Sequence, residues 1–189
     1  MESIYRVRIL QAARGLFNTR GYRSVTVQDL AEKLGISKKT IYQHFAGKED
    51  IAHVVVEETI QRVDHVIGVS RQTESNPILA IKEILKHVKD DSTRFGPLFL
   101  MDIEKYLPAL ASRHNDLRAR TKQSLRELLQ SAQERGLARK MPVPLTAEVL
   151  SVCMKAIVLS ENRFVADEAV DLFLDIFCNG IASSAAEEA

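Results

Sequence analysis

The sequence predicts an all-α protein with a helix-turn-helix near its N-terminus. Apolar residues recur at helical spacing along almost the whole chain of 189 residues. Val, Ile and Thr nowhere alternate with polar residues for long enough to predict a strand. Two short amphipathic segments near the N-terminus are separated only by a tight turn at Gly35. Two helices joined by a short turn containing glycine are typical of the helix-turn-helix.

The first two helices are delimited by glycines. Helix 1 is predicted over residues 3–19 and is broken at Gly21. The second helix begins at Thr26, which forms a capping-box pattern with Asp29 three residues later. Gly35 ends the second helix, because glycine takes positive φ at little cost. Apolar residues follow at positions i, i+3, i+4 and i+7 between these limits: Val27, Leu30, Ala31 and Leu34.

The third helix, about residues 38–44, has one apolar and one polar face. Ser37 is the predicted N-cap. A step of 100° per residue then puts Ile41 and Phe45 on one inward side. The outward side carries hydrogen-bond donors, a few acceptors and no acid before Glu49. These properties suit a helix that lies in the major groove of DNA.

The remaining helices are separated by glycine, proline and polar breaks. Asn76 followed by Pro77 indicates an N-cap with proline at the first helical position. Helix 4 is predicted over residues 48–69, and the later helices are predicted over 77–90, 97–106, 108–135, 145–162 and 166–180.

The charge of the chain is unevenly distributed. Its formal net charge is only +1, but residues 1–50 hold nine Lys and Arg against five Asp and Glu. An excess of positive charge at one end favours a polyanionic partner for that end. The alternative for any single lysine, such as Lys38 or Lys39, is an ordinary solvated helix face.

Composition and motifs exclude several classes of function. The sequence has no run of about 18 apolar residues and no signal-peptide core at its N-terminus, so we expect a cytoplasmic protein that does not enter the membrane. The histidines lack metal-ligand spacing, and neither a phosphate-binding glycine loop nor a nucleophile elbow is present. We therefore expect no catalytic residues, no metal and no cofactor.

The segment "GYRSVTVQDLAEKLGISKKTIYQHFAGKEDI", residues 21–51, resembles the DNA-binding domain of the TetR family of transcriptional regulators. The shared features are a glycine before a polar-aromatic pair, a threonine cap, the helix-turn-helix itself and the lysine-acid block after it. The resemblance covers about the first third of the chain. It implies a DNA-binding domain over residues 1–48, a connecting helix over 48–69, and a helical ligand-binding and dimerisation domain over 70–189.

The resemblance implies a homodimer that binds a palindromic DNA operator. The favoured function is a sequence-specific repressor that a small apolar or amphipathic ligand releases from its operator. An activator of the same fold, or a helical ligand-binding protein that is not released from DNA in this way, is the alternative.

Carried over position by position, the resemblance implies the residues that contact DNA. Lys38, Lys39, Thr40 and Gln43 are the candidates for base contacts, because lysine pairs with guanine and glutamine with adenine. The start of the second helix, with its free N–H groups, suits a phosphate. The complete predicted DNA-binding set is Thr26, Val27, Gln28, Ser37, Lys38, Lys39, Thr40, Tyr42, Gln43, His44 and Lys48. Among these, Tyr42, His44 and Lys48 are expected to hold phosphates, which set register without reading sequence. For Tyr42, packing on its neighbours is the alternative.

The second domain offers two further sets of candidates. Apolar side chains with a few polar groups suggest a ligand pocket between helices: Phe95, Phe99, Met101, Asp102, Tyr106, Met154 and Val158. The alternative is that these Phe and Met residues are simply core. The last two helices have apolar faces wide enough for both a core and a dimer partner: Val149, Val152, Ala156, Leu159, Ala169, Leu172, Phe173 and Ile176.

Overall fold

The computed structural model describes residues 4–73, 75–93, 95–158 and 163–182. These residues form an all-α fold, as predicted, and their only extended pairing is an isolated antiparallel bridge between Ala138 and Ala182. None of the described helices has an apolar stretch long enough to cross a bilayer. Nine helices are described: α1 Ile4–Ser24, α2 Val27–Leu34, α3 Lys38–Tyr42, α4 Lys48–Thr73, α5 Pro77–Thr93, α6 Pro97–Tyr106, α7 Pro108–Glu134, α8 Val143–Val158 and α9 Arg163–Ile181.

The chain divides into two compact units. The first comprises Met1–Gln61 with Arg94–Asn115, and the second comprises Arg62–Thr93 with Asp116–Ala189. The first unit therefore contains α1, α2, α3 and α6, together with the beginnings of α4 and α7. The domain limits predicted from the sequence remain a prediction.

The first unit is built around side chains that the helical spacing predicts to be inward. Ile9, Phe17, Leu30 and Ile41 have no solvent exposure. Burial of one such side chain stabilises a fold by about 1.5–3 kcal/mol, so these four positions account for much of the packing between α1, α2 and α3. The predicted break at Gly21 is a kink with φ 77° and ψ 165°, after which the chain turns towards α2.

Helix α6 belongs to the core of the first unit because it packs along α1. The Phe99 ring is stacked on the Phe17 ring with 5.1 Å between centroids. The Phe95 ring lies 5.3 Å from that of Phe99. All three side chains are buried. A segment far along the sequence thus helps to fix the N-terminal helices.

The second unit is held together by packing among α5, α8 and α9. Ile81, Leu150 and Leu174 have no solvent exposure at this contact. The N–H of Ile78 donates to Asn76 Oδ1 at 2.9 Å, so the predicted cap at the start of α5 is confirmed. The outward faces of α8 and α9, described below, carry large apolar side chains among charged ones.

Candidate nucleic-acid interface

Helix α2 begins at a complete capping box. The Asp29 N–H donates to Thr26 Oγ1 at 3.1 Å, and the Thr26 N–H donates to Asp29 Oδ2 at 2.7 Å. These bonds satisfy two of the groups that any helix start leaves unpaired. They also commit the Thr26 hydroxyl to the cap, so the group that this helix start offers to an anion is main-chain N–H rather than that hydroxyl.

The carboxylate of Asp29 is stabilised in its charged form. Hydrogen bonds from the Thr26 hydroxyl and N–H, supported by the Arg20 guanidinium at 3.1 Å, lower the pKa of Asp29 to about 2. The capping box therefore stays intact at any pH well above that value. The Thr26–Asp29 spacing in the sequence predicts this cap correctly.

The turn between α2 and α3 is closed by main-chain hydrogen bonds. Gly35 has φ 65° and ψ 34°, the left-handed conformation predicted for it. The Ile36 N–H donates to the carbonyl of Ala31 at 3.1 Å. Ser37 then caps α3, since its Oγ accepts from the Thr40 N–H at 3.1 Å. The predicted helix-turn-helix is thus confirmed. The caps and the turn fix the position of α3 directly after α2.

Helix α3 has the two faces that the sequence predicts. Ile41 is completely buried, and Phe45 is 2% exposed. Lys39 and Gln43 lie on the opposite side, and Lys38 and Tyr42 lie on its flanks. All four side chains and the N-cap Ser37 are solvent-exposed. Thr40 is half-buried beside that side. We refer to residues 37–43, without the buried Ile41, as the reading face.

The remaining candidates on α2 are partly engaged within the protein. Gln28 is exposed, but its Nε2 donates to Glu32 Oε1 at 2.7 Å on the same helix. Val27 is half-buried. The Gln28 amide keeps its oxygen and a second N–H for a base while it is bonded to Glu32. On the reading face of α3 the Ser37 and Thr40 hydroxyls are likewise engaged, with 2.9 Å between their oxygens.

The N-terminus of α1 lies beside the end of α3, which the sequence reasoning missed. The Tyr5 ring is stacked on that of His44, with 6.2 Å between centroids. The Arg6 guanidinium lies over the Phe45 ring at 4.7 Å, and Arg8 Nη2 donates to the carbonyl of Leu34 at 3.4 Å. The only sequence signal for this contact is the aromatic-basic pattern of residues 5–8. These side chains add positive charge next to the reading face.

Lys48 is engaged at the turn between α1 and α2. Its Nζ donates to the carbonyl of Tyr22 at 2.9 Å and lies 4.1 Å from the centre of the Tyr22 ring. Burial lowers the pKa of Lys48, while the carboxylates of Asp102 and Asp29 act in the opposite direction. This predicted phosphate ligand therefore already has a role inside the first unit.

The residues predicted to line a ligand pocket are divided between the two units. Phe95 and Phe99 are buried against α1, whereas Met101 is 64% exposed. Asp102 and Tyr106 both contact Arg23, which the sequence did not single out. In the second unit, Met154 is buried, and Val158 is the last residue of α8. The side chain of Val158 lies outside the described part of the chain.

The residues predicted for a dimer interface lie on α8 and α9. Val149, Val152, Leu172 and Ile176 are between 49% and 62% exposed, and Ala156 is exposed as well. Leu145, which was not predicted, is 61% exposed on the same helix as Val149. Ala169 and Phe173 are half-buried, and Leu159 lies outside the described residues. The second unit thus presents large apolar side chains to solvent on two neighbouring helices.

Comparisons with known proteins agree with this geometry. The family model for bacterial regulatory proteins of the tetR family matches residues 9–55, which include α2, α3 and the start of α4. The HTH-type transcriptional repressor AcnR of Corynebacterium diphtheriae is 31% identical over 85 residues, which are 45% of this chain and 42% of AcnR. The nucleoid occlusion factor SlmA of Haemophilus ducreyi is 31% identical over 78 residues, 41% of this chain and 39% of SlmA.

The chain therefore matches only about two fifths of the length of these relatives. The similarity in fold extends further. The ketosteroid transcriptional regulator KstR2 of Mycobacterium tuberculosis has a TM-score of 0.79 with 19% identity, and the match covers 97% of this chain and 98% of KstR2. The capped helix-turn-helix and the match to the family model over it lead to one conclusion: the N-terminal part of the chain, residues 9–55, is a DNA-binding domain of the type found in the tetR family of bacterial regulatory proteins.

Proposed function

We propose that this protein is a sequence-specific DNA-binding transcriptional repressor that acts in the cytoplasm. The observation that carries the proposal is the reading face of α3. It is exposed, it is held from behind by buried Ile41 and Phe45, and it contains lysine, glutamine, serine and tyrosine but no acid. A face of donors and acceptors without acid can approach base edges between phosphates without charge repulsion.

The reading face suits direct contact with base edges. Lys38 and Lys39 can donate to guanine O6 and N7, and Gln43 can pair bidentately with adenine. The methyl group of Thr40 can contact thymine. We assign phosphate contacts to the N-terminus of α2 and to Tyr42 and His44. Such contacts would fix the register of the protein on DNA without reading sequence.

We propose that two copies of the chain bind a palindromic operator. The support is the set of large apolar side chains exposed on α8 and α9, because clustered exposed apolar side chains mark interaction sites. A two-fold dimer would present one reading face to each of two half-sites, about one helical turn apart or a multiple of it. In this proposal residues 1–48 read DNA, and residues 70–189 dimerise and bind the effector.

We propose that a small apolar or amphipathic ligand releases the protein from its operator. The support is by analogy: AcnR, which matches over 85 residues, is a transcriptional repressor, and KstR2, which shares the fold, is a ketosteroid transcriptional regulator. We assign no catalytic step to the chain, since members of the family are regulators of transcription.

Selection from a library of randomised DNA duplexes tests the proposal without knowledge of the operator. The enriched duplex is then titrated by fluorescence anisotropy at several salt concentrations, with random DNA as competitor. We expect a palindromic motif that is bound at least about a thousandfold more tightly than random DNA. Failure to enrich any motif, together with weak binding that salt abolishes on every duplex, would refute the proposal.

Two lysine variants show whether the reading face is responsible. Lys39→Ala should weaken binding to the enriched duplex by about 1–3 kcal/mol. The control is Lys140→Ala, because Lys140 is an exposed lysine of the second unit and its loss changes the net charge equally. Equal losses for the two variants would show that binding reflects overall charge instead of contact through α3.

A further inference from the structure

We propose that Asp102, on α6, is a positioning residue for DNA binding. Asp102 Oδ2 accepts a hydrogen bond from the main-chain N–H of Arg23 at 2.7 Å. One turn further along α6, the Tyr106 hydroxyl accepts from Arg23 Nη1 at 2.9 Å. Residues four apart share a face of a helix, so α6 holds Arg23 by its backbone and by its side chain. This inference rests on the proposed function.

The backbone at Gly21 is shaped to allow this contact. A Cβ atom at Gly21 would lie 2.7 Å from Asp102 Oδ2, a distance that side chains do not tolerate. The φ of 77° and ψ of 165° at Gly21 also lie in a region that only glycine occupies readily. Glycine at this position therefore serves two purposes, since it lets the chain turn and lets the carboxylate reach Arg23.

A second helix holds the same turn from another side. Lys48, at the start of α4, donates to the carbonyl of Tyr22 at 2.9 Å and is within 3.5 Å of the carbonyl of Arg23. Two consecutive residues, Tyr22 and Arg23, are therefore held by hydrogen bonds from α6 and α4 together.

The restraint matters because α2 begins directly after this turn. Only Ser24 and Val25 separate Arg23 from the N-cap Thr26, and Val25 is completely buried. A shift of Arg23 is therefore passed to the N-terminus of α2, to which the proposed function assigns a phosphate. Hydrogen bonds from main-chain N–H to phosphate depend strongly on angle and distance. Loss of the Asp102 contact should thus weaken DNA binding although Asp102 itself need not touch DNA.

The sign of the effect separates positioning from simple electrostatics. Removal of a negative charge near DNA strengthens binding, because phosphates are the dominant partner. Glu104, two residues away and exposed on the same helix, provides the control for that effect. Asp102→Ala removes both the charge and the acceptor, whereas Asp102→Asn removes the charge but keeps an oxygen that can accept from Arg23.

The experiment compares four variants on the enriched duplex by anisotropy: Asp102→Ala, Asp102→Asn, Glu104→Ala and Glu104→Gln. We expect Asp102→Ala to bind about tenfold more weakly than Glu104→Ala, as the loss of one charged hydrogen bond allows. Asp102→Asn should bind within about twofold of Glu104→Gln. The salt dependence of log K should become shallower by about one phosphate contact in Asp102→Ala only. Circular dichroism at the assay temperature verifies that every variant is folded.

The outcomes distinguish this inference from the proposed function. Absence of any enriched motif for the unmodified protein refutes the proposed function, and the role of Asp102 falls with it. Specific binding by the unmodified protein together with equal affinities for Asp102→Ala and Glu104→Ala refutes this inference alone. If Asp102→Ala is unfolded, the binding of Asp102→Asn is compared with that of Glu104→Gln instead. Far weaker binding by Asp102→Asn, with an unchanged salt slope, would overturn the inference.

Discussion

Substitution of Gly21 by alanine should destabilise the first unit more than the same substitution of Gly15, the other glycine of α1. Two effects add at this position. The backbone at φ 77° and ψ 165° is strained for alanine, which costs about 1–3 kcal/mol. The new Cβ, 2.7 Å from Asp102 Oδ2, must also push the carboxylate away from the Arg23 N–H. Loss of a hydrogen bond to a charged group costs about 1.5–3 kcal/mol, with the lower end appropriate for a half-exposed acceptor.

The expected loss for Gly21→Ala is therefore about 2.5–4.5 kcal/mol in the free energy of unfolding. Urea denaturation followed by circular dichroism measures it. Gly15→Ala is the matched control, because Gly15 is inside the same helix and the atom nearest to its added Cβ is the mobile end of Lys33, at 3.3 Å. Alanine there should be neutral or should stabilise the helix by up to about 1 kcal/mol.

A double-mutant cycle with Asp102→Ala tests the reasoning directly. Once Asp102 is alanine, Gly21→Ala should cost only the backbone strain, so the two substitutions should fall short of additivity by about 1.5 kcal/mol. Additive costs would show that the carboxylate and the glycine do not interact. A Gly21→Ala protein as stable as the unmodified one would refute the whole account of this turn.

Three further predictions concern the cap, the turn and the dimer. The pKa of Asp29 is lowered to about 2. The stabilising effect of its carboxylate should therefore be complete above the pKa of the unfolded chain, about 4, and disappear as the pH falls through 2. The melting temperatures of the unmodified protein and Asp29→Asn should converge over that range. Lys48→Met should lower stability by about 1–2 kcal/mol in urea titrations, because methionine fills the space but cannot donate to Tyr22. Val152→Glu should leave the protein folded but weaken the proposed dimer at least tenfold in analytical ultracentrifugation, because the side chain is 58% exposed in one copy and would be buried in that dimer.

Each of these has an outcome that contradicts it. A constant difference in melting temperature from pH 6 to pH 2 would show that Asp29 does not act through its charge. Unchanged stability of Lys48→Met, with weaker DNA binding, would return Lys48 to the role of a phosphate ligand. A Val152→Glu protein that dimerises normally would place the dimer contact elsewhere on the chain.

The sequence predicts the helix-turn-helix well because its signals are local. Thr26 and Asp29 form their cap within one turn of helix, and Gly35 ends that helix through its own φ. Ile41 and Phe45 reveal the inward face of α3 through their spacing alone. Every one of these features depends on residues close together in the chain, and helical periodicity describes such features directly.

Contacts between distant segments could not be predicted in the same way. Arg23 and Asp102 are 79 positions apart, and nothing in either local pattern indicates the other. The sequence offers Phe99 as a pocket or a core side chain, but it does not show that Phe17 is the ring beside it. For the same reason the sequence presents Lys48 only as a cation at a helix start, whereas in the structure its Nζ donates to the carbonyl of Tyr22.

Substitution of Gln43 shows most clearly whether α3 reads DNA sequence through its exposed face. The measurement is the selection from randomised duplexes, repeated with Gln43→Ala beside the unmodified protein. We predict the same palindromic motif with preference lost at one pair of symmetry-related positions, at a cost of about 1–3 kcal/mol for the preferred base. An unchanged motif, or a motif weakened equally at every position, would contradict the claim that this face of α3 reads bases.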